Sequence, residues 1–209
     1  MKKKSIQSFD KYLRKLFPLC RSVSGEMNRK TLKILQEIIP LKIKEIKSKT
    51  KVFDWEIPLE WNIKEAWIKD MEGNKIIDFK KNNLHLVSYS IPIKKTISWL
   101  ELKKHLYIHT EISNAIPYRT SYYKKDWGFC VTHKQFELLK SLKGDYQINI
   151  DSELTNGSLS YGELILKGKS EKEILISCYI CHPSMANDSL SGVLLTAFLA
   201  NYIKSFSNQ

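Results

Sequence analysis

No stretch of this 209-residue sequence stays apolar for long enough to span a bilayer, so a membrane-crossing protein is not expected. The basic start, Met1-Lys2-Lys3-Lys4, is followed by neither an apolar h-region nor a small-residue cleavage site, so a secretory leader is not expected and a cytoplasmic protein is. Arginine is scarce. Of 34 Lys and Arg residues only Arg14, Arg21, Arg29 and Arg119 are arginine, so the net charge of +12 is a lysine excess. Arginine's planar fork is the better reader of phosphates and bases, and these lysines are scattered among Ile and Asn. A generally solvated basic surface is therefore expected rather than a nucleic-acid site. Cysteine is also sparse, with only four. Cys178-Tyr-Ile-Cys181 has CxxC spacing, but it lies in a β-rich apolar run where residues three apart point to opposite faces. A shared metal or disulfide is excluded on that geometry, and two buried, reduced core cysteines are expected. His85, His105, His109 and His133 show no mutual spacing that suggests a metal site.

What is present is an α/β texture at both ends with a different one between. Residues 8–17 place Phe9, Tyr12, Leu13, Leu16 and Phe17 at helical spacing, and Pro18 stops the run. Ser24 is positioned to cap a second amphipathic helix over 26–39, closed by Pro40. LKIKEI at 41–46 alternates as a half-exposed strand does. From Val52 tryptophans crowd in (Trp55, Trp61, Trp67), and Met71-Glu-Gly-Asn74 predicts a hairpin turn. Strand patterns follow at 84–89 and 91–93, a capped helix from Thr96 to about Tyr107, another helix over 133–142 and a strand over 146–150. Residues 52–152 read as a β-rich insert between a first part (1–51) and a second part (153–209) of one α/β domain. Its tryptophans admit two readings, packing in a thin core or a stacking platform for sugars or bases.

After Asn156-Gly157 a strand is expected over 159–166, then a near-continuous apolar strand over 173–180, a polar turn with His182 and Asp188, and a nearly all-apolar helix. Ligands of open α/β sheets bind beyond the carboxyl ends of strands, where His182 falls. Imidazole and carboxylate six apart across a turn can converge on one point and suit zinc, and a carboxylate can bridge two metals. The same residues can equally be a strand-end histidine and a helix N-cap.

CHPSMANDSLSG resembles the first metal-binding segment of the co-catalytic zinc aminopeptidase superfamily. LFPLCRSVSGEMNRKTLKILQEIIP, KVFDWEIPLEWNI and IPYRTSYYKKDWGFCVTH extend the resemblance to a bacterial family of aminopeptidase-like proteins with an inserted β domain. The resemblance implies an aminopeptidase-like (phosphorylase/hydrolase-type) three-layer α/β/α domain that hydrolyses a peptide or aminoacyl amide. It implies His182 as a ligand of one or two zinc ions and Asp188 as the bridging carboxylate. Ser184 stands where the superfamily has a ring-orienting Asp, which leaves a weakened outer contact to His182. In the superfamily the general-base Glu and the later ligands follow this helix, so a truncated chain is expected: a gene fragment, a frameshifted product, or half of a split protein completed by a C-terminal half. The apolar strand and helix also call for cover on more than one side. The alternative is a non-catalytic glycan- or peptide-binding module on the same scaffold.

Overall fold

The computed structural model describes residues 3–142 and 144–206. In chain order these form α1 (Lys3–Leu16), α2 (Glu26–Leu35), β1 (Lys42–Lys47), the two-residue strands β2 (Lys51–Val52) and β3 (Trp55–Glu56), β4 (Glu60–Lys69), β5 (Lys75–Asp78), β6 (Ile93–Ser98), α3 (Trp99–Leu102), β7 (Leu106–Tyr107), β8 (Phe129–Cys130), α4 (His133–Ser141), β9 (Asp145–Thr155), β10 (Ser158–Glu163) and α5 (Ser191–Phe206). The protein is mixed α/β, in two compact units: Met1–Glu60 with Asn156–Gln209, and Trp61–Thr155.

The first unit is built on three helices. Leu16 of α1, Leu32 and Leu35 of α2, and Val193 and Leu194 of α5 are buried in one apolar core, with Phe9, Tyr12 and Phe198 packed against it. Each such side chain contributes about 1.5–3 kcal/mol through burial. The loop after α1 is held from inside. Arg21, 2% exposed, donates from Nη1 to the Leu16 carbonyl at 2.6 Å. Asn28 grips Ser22 twice, donating to its carbonyl (2.7 Å) and accepting from its N–H (3.2 Å). Ser24 is not the N-cap of α2. Gly25 is the N-cap with no side-chain bond, and Ser24 Oγ donates to the Leu59 carbonyl at 3.3 Å, because burial turns it inward. β1 and β10 form an antiparallel ladder from Lys42 opposite Glu163 to Lys47 opposite Ser158.

In the second unit a four-stranded sheet runs β5-β4-β9-β6 over a core including Trp61, Ile68, Ile77, Tyr146 and Ile148. The expected hairpin is present: β4 and β5 pair antiparallel, Gly73 takes φ 91, and Asp70 Oδ1 accepts from the Asn74 N–H at 2.8 Å. Asn/Gly positions supply the positive φ such turns require. α4 begins in a capping box in which Thr132 Oγ1 accepts from the Gln135 N–H and Gln135 Oε1 from the Thr132 N–H. Two expectations differ. Residues 93–98 are a strand on β9 and helix starts only at Trp99, since Ser98 is the residue whose hydroxyl caps it. Among the described residues, 84–89 join no ladder beyond the isolated bridges Leu86–Phe129 and Ser88–Thr120.

The expected strand over 173–180 is the largest correction. It pairs with no strand among the described residues, and Ile174 and Leu175 are 91% and 89% exposed. Apolar content alone does not make a strand; a neighbour must take up its N–H and C=O groups. Cys178 is accordingly exposed and Cys181 half-buried, not two core cysteines. α5 is likewise covered on one side only, with Leu195 62% and Tyr202 62% exposed.

Candidate functional site

The turn between Cys181 and α5 rests on the loop that follows α1. Pro183 is buried, and Ser184, at φ 34, donates from Oγ to the Phe17 carbonyl at 2.9 Å. Ser184 is thus a tie between turn and loop. A short π-type turn, Ala186–Leu190, leads into α5 with a cis peptide between Asp188 and Ser189. Asp188 (φ −117, ψ 92) is not a helical residue. Its carboxylate does not cap α5 but accepts from Tyr179: the phenol O–H donates to Oδ1 at 2.5 Å.

Tyr179 organises what the turn presents. Its hydroxyl holds Asp188, its carbonyl accepts from Ser189 Oγ at 2.9 Å, and its ring lies 5.1 Å from that of His182, centroid to centroid. His182 and Asp188, expected to converge, therefore flank one tyrosine, which sequence reasoning had counted only as part of an apolar run. The one available signal was a lone hydroxyl among aliphatic neighbours. The Asp188 hydrogen bond, then loss of solvent, keep the Tyr179 phenol above its ordinary pKa, so it stays a donor at neutral pH. An open cleft is lined here by Ser177, Cys178, Tyr179, Asn187, Asp188 and Gly192.

The donors do not complete a metal shell. Zinc in proteins takes four ligands, or three and a water. Among the described residues no group of three or more His, Cys, Asp or Glu side chains could hold an ion. Cys181 Sγ lies 3.5 Å from His182 Nδ1, but burial raises this thiol, and burial pushes the Cys20 thiol up to about 12. Both remain thiols at neutral pH and are poor nucleophiles. His182 and Asp188 thus amount to two donors beside a tyrosine.

The aromatic platform fares differently. Trp61 is 2% exposed, stacks on Tyr89 with centroids 5.8 Å apart, and donates its indole N–H to the Ser90 carbonyl at 3.0 Å. Trp127 is buried and stacks on His105 at 3.8 Å. Trp61 and Trp127 are core residues, while Trp55 and Trp67 are half-buried. No helix among the described residues is long and apolar enough to cross a membrane.

Known proteins share this architecture. The chain is 49% identical, over 94% of its length, to a Clostridium acetobutylicum protein named "Putative polysaccharide biosynthesis protein with aminopeptidase-like domain", of which it covers 45%. It superposes with a TM-score of 0.93 on a crystal structure of a "putative peptidase" from Clostridium acetobutylicum, at 48% identity, over 97% of this chain and 47% of that one. The chain spans about half the length of each. Residues 10–209 match the model of the "Domain of unknown function (DUF4910)" family, and the chain belongs to that family.

Proposed function

We propose that this chain forms part of an aminopeptidase-like zinc hydrolase with a three-layer α/β/α domain, acting on a peptide or aminoacyl amide. The observation that carries the reading is the 0.93 TM-score likeness to a "putative peptidase" over 97% of the chain. In this reading His182 and Asp188 are its contribution to a zinc site of one or two ions, completed by residues of the other half. Tyr179 is a positioning residue: it fixes Oδ1 of Asp188.

The test is zinc titration and turnover of aminoacyl p-nitroanilides by the purified 209-residue chain. Weak zinc binding that disappears in His182→Ala and Asp188→Ala, with no turnover, is expected. Addition of the other half of the Clostridium relative is expected to tighten zinc binding and to give chelator-sensitive hydrolysis. Robust chelator-sensitive turnover by the chain alone would overturn the half-site reading. Zinc binding indifferent to both substitutions would overturn the ligand assignment.

A further inference from the structure

The first unit exposes apolar residues in two neighbouring stretches of sequence, 174–179 and α5. Residues 173–179 are all exposed, and among the described residues the backbone groups of 174–178 pair with no other backbone group. Beyond the turn, Leu195, Leu199, Tyr202 and Phe206 recur at the i, i+4, i+7, i+11 positions of α5, and all four are exposed. This stripe is separate from the one that buries Val193, Leu194 and Ala197. A helix apolar on two sides is one built to be covered on two sides. A segment apolar at successive positions is the pattern of a strand buried on both faces, with neighbours along its edges. An unpaired apolar edge otherwise templates aggregation, and proteins ordinarily protect it with charge, proline or cover. Between Ile174 and Ile180 there is no charge and no proline.

We infer that residues 174–179 and the outer stripe of α5 form a docking surface for the polypeptide corresponding to the other half of the relatives, which adds a strand along 174–179 and packs on α5. The occupant follows from proportion: this chain covers 45% of the Clostridium relative's sequence at 49% identity and 47% of the Clostridium crystal structure's chain at 48% identity, which leaves a further half of each available for this face. Strand addition supplies both requirements, main-chain partners for the backbone and pockets for alternate side chains. The inference rests on the half-domain reading above but not on its chemistry. It also gives the candidate turn a rigid frame, since Tyr179 lies in the docking segment and its hydroxyl holds Asp188.

The experiment uses the part of the Clostridium relative that lies outside the aligned region, co-expressed with this chain, and a chimera in which residues 10–209 replace the aligned region of that relative. A 1:1 complex by light scattering is expected, with amides of 174–179 exchanging at least about 10-fold more slowly than in the free chain. Leu175→Lys and Leu195→Lys, both at exposed positions, should weaken the complex at least about 10-fold while leaving the free chain's melting temperature unchanged. The chimera keeps the test decisive if the separate half is insoluble: the same amides must be protected there. Absence of a complex together with fast exchange in the chimera would overturn the inference. So would a homodimer of the free chain that already protects 174–179, which would assign the surface to a second copy. Protection without hydrolysis in the chimera would sink the proposed activity and leave the docking surface standing.

Discussion

Replacing Glu60 by Ala should destabilise the first unit by about 3 kcal/mol. The carboxylate stands at the start of β4, 6% exposed, and takes both arms of the Arg29 guanidinium, Nη1 on Oε2 at 3.0 Å and Nη2 on Oε1. Oε2 also accepts from the Ser158 N–H at 3.2 Å, and Gly157 approaches so closely that a Cβ there would overlap the Glu60 side chain. One carboxylate thus ties α2, the start of β4 and the turn into β10. Breaking a buried pair from one side typically costs about 3–5 kcal/mol, because the remaining charge is left uncompensated. Arg29 would retain Glu26 at 2.8 Å and Glu45 at 3.5 Å, which places the loss at the low end. With a urea slope of about 2 kcal/mol per M the midpoint falls by about 1.5 M. Four of the five tryptophans, Trp61, Trp67, Trp99 and Trp127, belong to the second unit, so fluorescence reports mainly on the wrong region. Hydrogen exchange of α2, β1 and β10 peptides against urea is the appropriate assay. A companion double variant, Arg29→Met with Glu60→Leu, should recover most of the loss, since apolar replacement of a buried pair is often neutral. A loss below about 0.5 kcal/mol for Glu60→Ala would refute the reasoning and reduce the pair to a solvated surface bridge.

Two further predictions concern the second unit. The Gln135 amide is oriented by the Thr132 N–H on its Oε1, so its Nε2 donates to His85 Nε2 (3.3 Å), while His85 Nδ1 donates to the Cys130 carbonyl (2.7 Å). Burial holds this neutral imidazole below its ordinary pKa, opposed by the Cys130 carbonyl and Asp78. Between that lowered value and about 6.5 the unfolded chain binds more protons than the folded one, so stability rises with pH through this window and is lost on acidification below about 6.5. Urea midpoints by tryptophan fluorescence should fall between about pH 7.5 and pH 5.5, and fall less in His85→Gln; equal slopes would contradict the assignment. Trp61→Ala should cost about 3–5 kcal/mol in thermal melts of the second unit. A variant that melts like the parent but loses glycan binding would restore the platform reading.

Local signals account for what could be read without a structure. The α1 and α2 periodicities, the Glu-Gly-Asn turn at 72–74 and the α4 helix are all encoded within a few residues, where sterics and hydrogen bonding act directly. The turn bearing His182 and Asp188 was legible as a place, because a polar turn between two apolar runs marks itself. Its internal chemistry was not. Tyr179 and Asp188 lie nine apart across an irregular turn, and no periodicity announces that one hydroxyl will hold the other's carboxylate.

The sequence by itself determined which residues are apolar, at what spacing, and so where helices and turns begin. Only the tertiary structure decided which of those apolar residues find cover. Arg29 and Glu60 meet across 31 residues, Ser184 and Phe17 across 167, and both contacts depend on chain segments brought together by the core. The run at 174–180 shows the same division from the other side. Its residues carry a strand's composition, yet strand formation is a relation between neighbours, and among the described residues it has none.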